Sequence, residues 1–156
     1  DALGHSLNYF MKKRLNNPDS YNSCLIYIAT DGHENASKYY TRNHLKKIIK
    51  NAKDKYNIDV IYLAANQDAI LEAGTMGIDA NQAINYNETS ATTEAVYRAV
   101  SRVASSLRIN PTGDLSFTGA ERQASQPSDI GDSLRVPPLI RRVPNIQSSL
   151  NGISHL

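Results

Sequence analysis

The stretch from Cys24 to Ser37, Cys-Leu-Ile-Tyr-Ile-Ala-Thr-Asp-Gly-His-Glu-Asn-Ala-Ser, restricts the fold of this 156-residue chain more than any other. An apolar, β-leaning run (Leu25, Ile26, Tyr27, Ile28) stops at Thr30-Asp31-Gly32. This is the pattern of a buried parallel strand that delivers one carboxylate to a glycine-opened loop at its C-terminal end. In open α/β sheets that end is where ligands bind.

Helical and strand patterns alternate around this stretch. Leu3, Leu7, Phe10, Met11 and Leu15 recur at helical spacing and predict a helix from residue 1 to about 15, with Lys12, Lys13 and Arg14 in its last turn. Asn16-Asn17-Pro18-Asp19-Ser20 breaks it. Thr41 suits an N-cap, and Leu45, Ile48, Ile49, Ala52 and Tyr56 form the stripe of a second helix. Its lysines (46, 47, 50, 53 and 55) read as a solvated outer face, with a polyanion-binding patch as the alternative. A strand is expected from Asp59 to Ala65, then a short helix from Ala69 to about Thr75, capped by Asn66-Gln67-Asp68 and ended by Gly74 and Gly77. A third strand, Gln82 to Tyr86, precedes a long helix buried through Val96, Val100, Val103 and Leu107.

Such alternation implies right-handed crossovers and a Rossmann-like α/β fold, a parallel sheet with helices on both faces. Three strands leave one edge open. The chain also starts without Met and inside a helical pattern. It is therefore expected to be a fragment whose preceding part supplies further strands.

The expected body ends at residue 108. From Ile109 onward lie five of the six prolines and four of the eight glycines, with no lysine, no tyrosine and Phe117 as the one aromatic, too little to build a separate core. Residues 109–156 are expected to be an extended tail with one short helix near 118–125, because Thr118-Gly-Ala-Glu121 fits a capping box. The run Arg135-Val-Pro-Pro-Leu-Ile-Arg-Arg-Val-Pro-Asn-Ile offers alternate apolar residues to a partner.

Composition excludes several classes. A net charge of +2 is too small to argue for nucleic acid. No apolar run approaches the roughly 18 residues of a membrane-spanning helix. Cys24 is the only cysteine, so neither an internal disulfide nor a cysteine-based zinc site exists, and a buried inert thiol is expected.

Asp31 is the main candidate for chemistry: a carboxylate at a strand's C-terminal edge suits a hard divalent cation, although it also suits a loop cap. His33 and Glu34 adjoin it without recognisable ligand spacing. Asn66, Gln67 and Asp68 leave the next strand on the same rim. Neither a phosphate-binding glycine loop nor a Gly-x-Ser-x-Gly elbow occurs.

The helix opening Asp-Ala-Leu-Gly, the strand ending Ile-Ala-Thr-Asp-Gly-His-Glu-Asn, and the later Val-Ile-Tyr-Leu-Ala-Ala-Asn-Gln-Asp-Ala-Ile together resemble a von Willebrand factor A domain over residues 1 to about 108. The likeness is greatest to the small A-domain proteins of phages and large DNA viruses. Such domains hold Mg²⁺ at an adhesion site built from an Asp-x-Ser-x-Ser loop, a Thr in a second loop and an Asp after the fourth strand. Asp31 matches the last element, and the other two would lie upstream of Asp1. Asp114-Leu-Ser-Phe-Thr118 mimics the first only superficially, since no apolar strand precedes it.

The resemblance implies a non-enzymatic protein–protein interaction module, a minor capsid or virion-associated component located in the virion or host-cell cytoplasm. Its partners would be other protein chains, met largely by the tail 109–156, with neither nucleic acid nor membrane insertion. Partner-binding candidates are Thr30, Gly32, His33, Asn66, Asp68, Arg135, Ile140, Arg141 and Arg142. Asp31 would be a partial metal site, so no cofactor is expected in this chain and Mg²⁺ only with ligands from the missing part. Two alternatives remain: a Mg²⁺-dependent adhesion domain outside a virion, and a hydrolase or phosphotransferase using Asp31.

Overall fold

The computed structural model describes residues 1–31, 38–65 and 68–126. In chain order these form α1 (Ala2–Asn16), β1 (Cys24–Thr30), α2 (Arg42–Tyr56), β2 (Ile58–Ala65), α3 (Ala69–Met76), a 3₁₀ turn (Ala80–Gln82), β3 (Ala83–Tyr86), α4 (Ser90–Ile109) and α5 (Gly119–Ser125). The strands make one parallel sheet in the order β1-β2-β3. This is the α/β architecture expected from the alternation of patterns.

Residue alternation along the strands sorts the core into two layers. Ile58, Val60, Tyr62 and Ala64 of β2 face one side with Ile26 and Ile28 of β1, and are covered by Leu7 of α1, Ile49 and Ala52 of α2, and Ala69 and Ala73 of α3. Ile61 and Leu63 face the other side with Ile84 of β3, under Val96, Val100, Val103 and Leu107 of α4. Both crossovers thus pass over one face, and α4 returns over the other.

Local chemistry fixes the element ends. Thr41 accepts from His44 N at 3.2 Å and starts α2. Asp68 accepts from Leu71 N at 3.0 Å and starts α3. Asn57 ends α2 in the left-handed region at φ 52°, and its carbonyl accepts from Cys24 N at 2.9 Å, tying the turn to the start of β1. Gly77 ends α3 at φ +81°, a conformation that glycine adopts without strain. Gly74, expected to help end that helix, lies within it instead. Gly4 is needed for close approach: a Cβ there would meet the Tyr40 ring at 2.5 Å.

The packed body continues past residue 108. Leu115 and Phe117 are buried under α4 with the second layer, because the turn at Asn110–Gly113 reverses the chain through a Gly113 N to Asn110 O bond of 2.9 Å. The short helix appears where its capping box placed it, with Thr118 and Glu121 bonded reciprocally. Arg102 Nε donates to Glu121 at 2.6 Å, and Arg122 Nη1 donates to the Ala83 carbonyl at 2.7 Å. These bonds hold α5 against α4 and β3.

Candidate interaction site

β1 is the least enclosed of the three strands. Among the described residues it pairs with β2 alone, in register from Cys24 opposite Ile58 to Thr30 opposite Ala64. In a parallel strand alternate residues direct both N–H and C=O to one neighbour and the rest direct theirs the other way. On the side away from β2 those groups line an open edge. The seven residues of β1 contain neither a charge nor a proline, the usual devices that blunt such an edge.

A groove of about 570 Å³ follows this edge beside Ile26, Ile28 and Ala29, with Leu3 and Ser6 of α1 and Leu45 of α2 on its walls. At its rim Arg42 is committed elsewhere, pairing with Glu72 at 3.0 Å and donating to Thr75 Oγ1 at 2.8 Å. The Asp1 carboxylate accepts from the backbone N–H groups of Lys38, Tyr39 and Tyr40 at 2.7 to 3.1 Å, so α1 and the entry to α2 are fastened together. Tyr40 adds a ring contact with His5 and a stacked one with His44.

On the opposite face, α4 covers β2 and β3 but not the far part of β1. Tyr27 is 51% exposed, and its ring meets that of Tyr97, 43% exposed, edge to face at 6.5 Å. Tyr86 lies nearby, and burial pushes its hydroxyl pKa up, with Tyr97, Glu88 and Asp31 adding to the rise. An aromatic surface therefore sits beside an acidic rim at the C-terminal end of the sheet.

Asp31 is exposed at the end of β1, and Asp68 is exposed at the start of α3 on the same rim. Thr30 is half-buried between β1 and the rim. Among the described residues no three His, Cys, Asp or Glu side chains gather where they would hold a metal ion. Asp114 serves its own loop, accepting from Ser116 N at 2.9 Å. Gly32, His33, Glu34, Asn66 and Gln67, together with Arg135, Ile140, Arg141 and Arg142, lie outside the described residues. Cys24 is half-buried, and burial pushes its thiol pKa up against the opposing charge of Lys13, which keeps the thiolate scarce.

The aromatic pair escaped the sequence reading, although a signal existed. Tyr27 falls on the Leu25-Tyr27-Ala29 side of the β1 alternation, and that side faces the helix that must cover two other strands first.

Fold and site together define a parallel α/β protein in which β1, among the described residues, has a strand on one side only. No protein-family model, curated protein or solved structure matches the chain. None of the described helices is long and apolar enough to cross a membrane.

Proposed function

We propose that this chain is a non-enzymatic protein–protein interaction module, and that its binding element is the side of β1 with which no described strand pairs. The supporting observation is an uncharged, proline-free edge strand beside a groove, with an exposed tyrosine on its other face. Such an edge binds an extended segment through main-chain hydrogen bonds, and flanking side chains select the sequence. The resemblance to viral A-domain proteins supports the narrower reading of a structural component within a large assembly such as a virus particle. In that reading the residues beyond Gln126 also reach neighbouring chains.

Ala29→Lys tests the edge. Ala29 is exposed, so the variant should melt like the parent, while a lysine on an edge strand opposes pairing. Sedimentation velocity on the full chain should show self-association or partner binding that the variant loses. Unchanged association in Ala29→Lys counts against the edge as the binding element. Mg²⁺ in place of EDTA should leave association unchanged unless ligands from outside the described residues complete a site with Asp31.

A further inference from the structure

A polar cavity lies at the N-terminal end of the sheet, and no residue of β1 or α1 lines it. We propose that this cavity binds a guanidinium group, the head of an arginine side chain or of a free small molecule, between the buried amide of Gln82 and the carboxylates of Asp59, Asp79 and Asp114. Such a site is independent of the interaction surface on β1.

Separate segments converge there. Asp59 is the second residue of β2, and the 3₁₀ turn Ala80–Gln82 leads directly into β3. Just beyond the reversal at Asn110–Gly113, Asp114 and Ser116 form the facing wall. Together they enclose about 350 Å³, and an adjoining cavity of about 390 Å³ beside α2 shares Lys53, Asp59, Asp79 and Gln82 with it. Gln82 is the group that points to a ligand. It is 9% exposed, and its backbone N–H donates to the Asp79 carbonyl at 2.9 Å. Among the described residues its side-chain amide makes no hydrogen bond. That amide is not sealed in the core, because the one enclosed side-chain polar atom without a partner among these residues is Ser20 Oγ. It opens instead into the cavities that Gln82 lines, where it can bond what enters.

Charge sets the sign of the ligand. On the wall of the smaller cavity Lys53 is the one cation against three carboxylates. Its Nζ stands 3.5 Å from Asp59 Oδ1 on a side chain that is 57% exposed, a loose pair that an entering cation can replace. Asp79 Oδ1 accepts from Asn81 N at 2.8 Å, and among the described residues Oδ2 of Asp59 and of Asp79 accepts no hydrogen bond. Hydrogen bonds from the Ser116 side chain and N–H hold the Asp114 carboxyl below the usual aspartate range, so it stays charged. Lys46 and Lys50 border the larger cavity, with Lys50 paired to Asp54 at 2.8 Å, which directs a cation toward the Asp114 side. A guanidinium suits this wall better than an ammonium. Its five N–H donors lie in a flat fork, so one edge can bond a carboxylate while another N–H reaches the Gln82 carbonyl oxygen. An ammonium has three donors around a single point.

Amide NMR on the full chain tests the site with two probes: N-acetylagmatine, a free guanidinium, and acetyl-Gly-Arg-Gly-amide, a peptide one. Saturable shifts are expected at the Gln82 side-chain amide and at the backbone amides of residues 79–82 and 114–116, with a Kd of about 1 mM or below. Both probes bind if the cavity takes a partner's arginine, and N-acetylagmatine alone binds if it takes a small molecule. Gln82→Met, close in volume but lacking the amide, should weaken binding at least about tenfold with the melting temperature unchanged. Asp79→Asn keeps the bond from Asn81 N while removing a charge, and should weaken binding as much, so the test holds even where Gln82→Met folds poorly. Tetramethylammonium, a cation without N–H donors, should produce none of these shifts. Shifts that do not saturate by about 10 mM overturn the proposal, as do equal shifts with tetramethylammonium or parent-like affinity in a folded Gln82→Met or Asp79→Asn. The same shifts produced by Mg²⁺ or Ca²⁺ at lower concentration also overturn it, in favour of a metal site.

Discussion

β1 and β2 are neighbouring parallel strands of similar length and similarly apolar sequence, yet all eight residues of β2 are buried and none of the seven in β1 is. The contrast is sharpest across one register pair. Leu63 is 0% exposed while Ala29, its partner on β1 and on the same face, is exposed. Composition does not explain the difference, since Cys-Leu-Ile-Tyr-Ile-Ala-Thr is as apolar as Ile-Asp-Val-Ile-Tyr-Leu-Ala-Ala. Position does: among the described residues β2 has a strand on each side and helices over both faces, whereas β1 has one strand and one well-covered face. A strand composed for burial but left half open is the physical sign of a surface that another segment completes.

The largest effects should come from the layer that encloses β2. Val100 of α4 is buried with Leu63 and Ile61, so Val100→Asp places an unpaired carboxylate in that layer. A loss of about 3–5 kcal/mol is expected, a large share of the about 5–15 kcal/mol that holds a domain folded, so melting should fall steeply. Leu63→Ala, which leaves a cavity, should cost about 2–5 kcal/mol in urea unfolding. If Val100→Asp melts normally, α4 does not cover β2 as described and the contrast between the strands loses its cause.

A second effect concerns the face that both strands share. Gly4→Ala sets a methyl group against the Tyr40 ring, and Tyr40 is held by a 2.9 Å bond from Asn8 Nδ2 as well as by its own N–H to Asp1. The helix gains about 1 kcal/mol of propensity but overpacking costs about 1–3 kcal/mol, so a net loss on the order of 1 kcal/mol is expected. A stabilised Gly4→Ala protein would show that Tyr40 moves aside freely.

The sequence made the enclosed strand far more legible than the open one. Periodicity identified the helices and strands because Leu45, Ile49, Val96, Val103 and Leu107 bury one face each, and local rules placed the caps at Thr41, Asp68 and Thr118. Two features needed coordinates. The burial of Leu115 and Phe117 depends on a reversal at Asn110–Gly113 that brings a short irregular segment back under α4, a contact without periodicity to announce it. The exposure of Tyr27 depends on how far α4 extends across the sheet, and an apolar alternation reads the same whether its second face is covered or bare. Of the candidate site, Asp31 and Asp68 were legible as rim carboxylates because each follows a strand, but the adjoining aromatic surface was not.

Acid should separate α5 from the strands. The hydrogen bonds from Arg102 hold the Glu121 carboxyl below the usual glutamate range against an opposing effect of burial, and the Thr118 N–H helps. A carboxyl whose folded pKa is depressed stabilises the fold fully above its unfolded value, near 4.3, and loses that contribution as pH falls through the folded value. Stability should therefore decline below about pH 4, and Glu121→Gln should flatten that decline. At neutral pH the variant should cost about 1 kcal/mol through the lost ion pair, since a glutamine at this position still completes the capping box. An unchanged acid limb in Glu121→Gln would falsify the assignment of this pair as the acid-sensitive latch.

The smallest effect on stability should fall on the open strand, and it discriminates most sharply. Tyr27→Ser removes a ring that is half in water and shares one edge-to-face contact with Tyr97, so thermal unfolding should change by no more than about 0.5–1 kcal/mol. Association should respond out of proportion, because an aromatic side chain at the centre of a contact surface commonly carries 2 kcal/mol or more of binding, roughly thirtyfold in affinity. The ratio of the two effects is the quantity to measure, by calorimetric melting and by titration calorimetry with whichever chain the parent associates. A stability loss near that of Leu63→Ala would mean that Tyr27 is enclosed like its neighbours in β2, which would abolish the contrast between the strands. A small stability loss with intact association would keep the contrast but move the contact off the tyrosine face and onto the backbone edge, where Ala29→Lys acts.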